Sequence, residues 1–191
     1  MLKKLCTALG LCLSLAACAV GNTTDYRDVV PPLGVSTANV VAVTAEDQRP
    51  YVLADSNTPQ WVGMVRGGYG NPFGVHTASG QPLAIDLIQA ATDSLKADGV
   101  KTAPGTDADR TLSIVVKNWK SDTWYHTSAY FDVSAEVRDK TGQSLAMNMV
   151  SEKKRFENDS LLPSVKLQQV HDYFKELMDK LLNPSIRQAL N

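Results

Sequence analysis

Tyr125-His126-Thr127-Ser128-Ala129-Tyr130-Phe131-Asp132-Val133-Ser134-Ala135-Glu136-Val137-Arg138 is the stretch on which the fold turns. Tyr125, Ala129, Phe131, Val133, Ala135 and Val137 alternate with His126, Ser128, Tyr130, Asp132, Ser134, Glu136 and Arg138. A period of two places apolar side chains on one face of a strand and polar ones on the other. Downstream, Asp139-Lys140-Thr141-Gly142 is a tight hairpin signal, and Leu145, Met147 and Met149 carry the next strand to about Phe156. Upstream, Leu112, Ile114 and Val116 alternate with Ser113, Val115 and Lys117. The centre of the chain thus reads as a three-stranded antiparallel meander with one buried face and one wet face.

Amphipathic helices flank the meander. Leu83, Leu87, Ile88, Ala91 and Leu95 share one helical face, with Pro82 suited to the first turn and Gly99 to the stop. Leu167, Val170, Phe174, Leu177 and Leu181 recur every three or four residues after Pro163, until Asn183-Pro184 ends the run. Val40, Val41 and Val43 mark an earlier strand within 35–44, and Val100 to Ala103 a short one. The expected fold is an α/β (α+β) two-layer sandwich. Its sheet is mixed, mostly antiparallel and of about five strands, with two helices on one face.

At 191 residues the chain suits a single domain. Hydrophobic residues at 43% and charged residues at 20% fit a folded protein. A formal charge of −1 excludes a strongly basic nucleic-acid binder, and no run reaches the ~18 apolar residues of a spanning helix.

The N-terminus carries an address. Lys3 and Lys4 precede a mostly apolar run from Leu5 to Ala17, the anatomy of a signal peptide over residues 1–17. Leu15-Ala16-Ala17-Cys18 resembles the bacterial lipobox, in which the cysteine after the cut carries a diacylglycerol and an amide-linked acyl chain such as palmitate. Cys6 and Cys12 leave with the signal, so the mature chain keeps Cys18 alone, without a partner for a disulfide. Ala19 follows where an aspartate would favour inner-membrane retention, so the lipobox resemblance implies the outer membrane, facing the periplasm. Residues 18–34, with Pro31-Pro32, read as a lipidated tether, and 35–191 as the domain.

Leu95-Lys96-Ala97-Asp98-Gly99-Val100, the strand around Ile114-Val115-Val116 and the strands around Phe131 and Met147 follow the lipobox in order. That order resembles the YajG-type family of bacterial lipoproteins over residues 1–45 and 80–190. More distantly it is similar to periplasmic lipoproteins with a TolB N-terminal-like or curli-secretion-like α/β domain. The resemblance implies an accessory or assembly protein of the envelope and carries no catalytic motif.

Residues 46–80 depart from it. They read as one long irregular loop containing Arg66-Gly67-Gly68-Tyr69-Gly70-Asn71-Pro72-Phe73-Gly74. Loops beyond ~12–15 residues are uncommon in compact domains unless they serve a function or are disordered. Arg49, Trp61, Arg66, Tyr69 and Phe73 are the candidate anchors for a partner, with His76 closing the loop. The plainer reading is a loop that packs its own aromatics over a sheet edge. On either reading, replacing residues 56–76 by a short linker is expected to leave the core folded.

No histidine pair has metal-ligand spacing among His76, His126 and His171, and no Gly-x-Ser-x-Gly elbow occurs. His126 and His171 read as surface groups, and Lys153-Lys154-Arg155 as the guard of an edge strand. No metal, cofactor, catalytic residue or nucleic-acid partner is therefore expected. The function expected is a non-enzymatic binding or accessory lipoprotein, held to the membrane by Cys18 and contacting an envelope protein or polymer. The alternative is a lipid-handling protein or hydrolase with a site under residues 46–80.

Overall fold

The structure, a computed structural model, describes residues 22–67, 69–157 and 162–191. The signal peptide and Cys18 lie outside the described residues.

The meander forms where the alternation places it. β5 (Arg110–Thr123), β6 (Thr127–Asp139) and β7 (Ser144–Phe156) are antiparallel neighbours. Their inner face buries Leu112, Ile114, Val116, Trp119, Phe131, Val133, Ala135 and Val137. Leu145, Met147 and Met149 point to the wet face and stay exposed, while Val150 packs against the core.

Among the described residues the sheet holds seven strands rather than about five. β1 (Asn22–Thr24), β2 (Val41–Asp47), β3 (Trp61–Arg66) and β4 (Pro72–Thr77) join the meander. The order is β1-β4-β3-β5-β6-β7, and β2 also pairs with β5. β2 and β3 lie end to end along one edge of β5: β2 runs parallel to Arg110–Val116, and β3 parallel to Ser121–Thr123. A bulge in β5 between Val116 and Asn118 separates the two pairings.

Residues 46–80 are therefore not a loop. They contain the end of β2, a helical turn α1 (Pro50–Leu53), β3 and β4. Val62, Val65 and Val75 are buried, so the segment is part of the core. Gly63 is needed for close approach, because a Cβ there would stand 2.6 Å from the Ser121 carbonyl oxygen.

The tether reading of 18–34 is corrected from Asn22 onward. β1 pairs with β4, and Tyr26, Val29, Val30, Leu33 and Val35 are buried in the core. Asp98 accepts from the Val35 N–H at 3.0 Å, and Pro31 O accepts from Ser94 Oγ at 2.8 Å. The segment is irregular in backbone yet packed, a combination without periodicity to betray it.

Among the described residues there are four α-helices rather than two. α2 (Leu83–Ala97) and α3 (Pro163–Leu181) are the expected ones, and α4 (Pro184–Leu190) follows Asn183, whose side chain caps it. α2 ends at Gly99, φ +82°, where the Val100 N–H reaches back to the Leu95 carbonyl at 3.0 Å. The apolar stripes of α2 and α3 share one core with the inner face of the sheet, so Leu87, Phe131, Val133 and Phe174 are buried in the same cluster. Its centre is aromatic: Trp119 lies 4.7 Å from Phe174, 5.1 Å from Phe131 and 5.2 Å edge-on to Tyr26, measured between ring centres. Such pairs contribute about 0.5–1.5 kcal/mol each beyond their area. Among the described residues no helix is long and apolar enough to cross a membrane.

Candidate functional site

Register places several chain segments at one end of the sheet. β3 and β5 run toward it together, so Arg66 and Thr123 finish there, and β4 starts there at Pro72. Thr123 pairs with Thr127, and Thr127 with Phe156, which adds the start of β6 and the end of β7. α3 begins there too, because the Lys166 ammonium donates to the Trp124 carbonyl at 2.7 Å.

This end exposes large aromatic side chains. Tyr69 is 99% exposed, Tyr125 72%, Phe73 53% and Trp124 44%. Trp124 and Tyr125 lie 4.5 Å apart between ring centres in the turn from β5 to β6. The turn is closed by the Trp124 N–H, which donates to the His126 carbonyl at 2.9 Å. The β3–β4 turn leans on it: a Cβ at Gly70 would sit 3.6 Å from Trp124 Cζ2.

Two arginines lie in the cleft beside Trp124 and Tyr125. Arg66 Nε stands 3.5 Å from Asp122 Oδ1, and Arg155 Nε 3.8 Å from Glu157. Both arginines line a cleft of about 560 Å³ together with Trp124, Tyr125, His126 and Tyr130. On the wet face, Lys120 and Lys153 each hold an ammonium 5.0 Å from the Tyr130 ring centre. Lys154 lies 4.4 Å over Tyr173. The arrangement offers stacking surfaces and fixed positive charge to a ligand carrying both apolar and anionic parts.

Of the residues singled out in the sequence, Arg66, Tyr69 and Phe73 come together here. Arg49 does not, because it is fully buried and so excluded as a partner anchor. It grips Asp47 through two bonds of 2.7 and 2.6 Å and donates to the carbonyls of Pro59 and Trp61 at 2.8 and 2.7 Å. Trp61 is half-buried with its ring edge-on to Tyr51 at 5.1 Å, and His76 pairs with it across β3 and β4. Trp124, Tyr125 and Arg155 were missed as site residues. Two adjacent aromatics in a turn between amphipathic strands were the signal for them.

A second cleft, about 490 Å³, runs between β1 and α3. His171 lines it but is 7% exposed rather than solvated. Its Nε2 lies 2.9 Å from Asp28 Oδ1, and its ring stacks on Tyr26 at 6.0 Å. These contacts pin α3 to the N-terminal segment. Beside it, hydrogen bonds from Arg27 hold the Asp25 carboxyl down at about 2. Among the described residues no group of three or more His, Cys, Asp or Glu is placed to hold a metal ion. His126 is exposed at the aromatic end.

No family model matches this chain, and no curated protein matches it. Among solved structures, it is similar to protein XCC0632 from Xanthomonas campestris, of the family DUF330. The TM-score is 0.61 at 15% identity, over 89% of this chain and 97% of that one. An uncharacterized protein overlaps with a TM-score of 0.45 at 8% identity, over 85% and 96% of the two chains. Lipoprotein GNA1162 from Neisseria meningitidis gives 0.30 at 13% identity, over 72% and 96%. The first likeness is one of fold.

Proposed function

We propose that this chain is a lipid-anchored envelope protein of the YajG type, held by an acylated Cys18 to the periplasmic face of the outer membrane. It acts as a non-enzymatic binding or accessory protein, and the aromatic and cationic end of the sheet is its contact surface. One observation carries the reading: four large aromatic side chains stand exposed beside Arg66 and Arg155 at the end of a rigid sheet. Aromatic and arginine side chains dominate binding surfaces because they deliver much contact for little ordering cost. A photo-crosslinking residue in place of Tyr125 or Tyr69, in intact envelopes, is expected to capture an envelope component. The same residue in place of Thr141, in the hairpin at the other end of the sheet, is expected to capture none. Equal capture at both ends, or none at either, overturns the assignment.

A further inference from the structure

Chain length limits where a membrane can lie. Asn22 opens β1 four residues after Cys18, so an acyl group on Cys18 sits within roughly 14 Å of Asn22 at full extension. β1 runs parallel to β4, with Asn22 beside Val75, so its start faces the end where β4 starts, the aromatic end. The far end of the sheet, marked by Arg110 and its partner Asp139, is out of reach, because β5 alone is roughly 45 Å long. A bilayer that holds the anchor therefore meets either the aromatic end or the flank around β1.

Charge separates the two surfaces. The flank carries Asp25, Asp28 and Asp93 around a cleft of about 620 Å³, with Arg27 paired to Asp25 and Lys175 4.0 Å from Asp28. Anionic headgroups repel such a surface. The aromatic end carries Arg66, Lys153, Lys154 and Arg155 against Asp122 and Glu157, and Asp159 follows in sequence.

We infer that the aromatic end rests on a phospholipid surface, with Tyr69, Trp124 and Tyr125 in the headgroup layer and Arg66 and Arg155 on lipid phosphates. The inference rests on the reading of this end as the contact surface and names its occupant. Tyrosine and tryptophan favour the membrane–water interface because their rings gain apolar contact while their polar atoms stay wet. The exposed Val165 in the first turn of α3 adds apolar area on the same side. Anchoring at a single residue leaves a protein free to tumble; a second contact at the sheet end fixes its orientation.

The test uses the chain from Ala19 onward, which keeps every described residue. A histidine tag at its N-terminus and a nickel-chelating lipid replace the acyl anchor, so the outcome does not depend on Cys18. The vesicles contain phosphatidylethanolamine and phosphatidylglycerol, brominated near the top of the acyl chains. Part of the tryptophan fluorescence is expected to be quenched on tethering, and that part is expected to vanish in Trp124→Phe. The doubly neutralised Arg66→Gln, Arg155→Gln chain, added without the nickel lipid, is expected to bind vesicles about tenfold more weakly than its parent. Met147→Ser, on the wet face of β7, is expected to match the parent. Equal quenching in the parent and Trp124→Phe overturns the inference. So does vesicle binding unchanged by the arginine substitutions. If lipid contact fails while Tyr125 still crosslinks to a protein or polymer, the lipid assignment falls and the contact-surface reading stands. If both fail, both fall.

Discussion

Arg49 is the residue whose role differs most from its sequence reading. An arginine beside Pro50 and Tyr51 in a segment without periodicity resembles an exposed anchor, yet its guanidinium is buried and bonded on every side. Nothing in the local sequence shows that three carbonyls from Pro59, Trp61 and Trp119 converge on it, because those contacts span 10 to 70 residues. Arg49→Met leaves Asp47 with its charge unpaired and is expected to cost about 3–5 kcal/mol, measured by urea unfolding. Asp86 is a second buried charge, in the first turn of α2, and its Oδ2 has no hydrogen-bond partner. Burial pushes its carboxyl up from the ordinary 3.8, and the nearby Asp25 adds to the rise. A raised folded pKa favours folding below the unfolded value and loses that favour as pH rises through the folded one. Asp86→Asn does not titrate, so its stability relative to the parent is expected to improve between pH 3 and pH 7. A gap that is constant or closes in the parent's favour contradicts this placement.

At the scale of elements, the regular periods were readable and the interrupted ones were not. β5 and β6 show clean alternation and α2 and α3 a helical stripe, because each packs one face on a single core. β3 and β4 have six residues each, broken by Gly63 and Gly74 and opened by Pro72, so they present the composition of a loop. β1 has three residues, too few for any pattern. The proposed contact surface was half legible for the same reason. Arg66, Tyr69 and Phe73 sit in a stretch that looks unusual, whereas Trp124 and Tyr125 sit in a turn that looks ordinary. The structure also changes what a deletion does. Removing residues 56–76 takes out β3 and most of β4 with buried Val62, Val65 and Val75, and is expected to abolish cooperative unfolding. Replacing only residues 67–71 by a two-residue turn is expected to preserve it, with a midpoint within a few degrees of the parent, roughly the scale of 1 kcal/mol. Thermal melts by circular dichroism separate the two outcomes.

For the whole molecule, the attachment proposed at Cys18 leaves little slack between membrane and fold. The sequence reading allowed a tether of some sixteen residues, but the segment from Asn22 onward packs into the fold, so three residues separate Cys18 from the sheet. Attachment through a lipid on Cys18 is expected to show as added mass on the N-terminal peptide from the membrane fraction. Cys18→Ser is expected to lack that mass and to lose its mature, cleaved form. A mature Cys18→Ser chain retained in the membrane with its usual yield contradicts the proposed attachment.

The end-to-end placement of β2 and β3 along β5 bears on the order of assembly. The β5–β6–β7 meander closes through short turns and so costs little loop entropy, whereas β2 meets β5 across about 69 residues and β3 across about 58. The meander with α3 is then the expected nucleus, and the two arms are expected to add to its finished edge late, with Arg49 bridging the seam between them. Interactions made after the rate-limiting step change how fast a protein opens rather than how fast it closes. Loss of the Arg49 bridge is therefore expected to appear in stopped-flow traces as faster unfolding with a nearly unchanged refolding rate, giving a native state that forms on time and does not last.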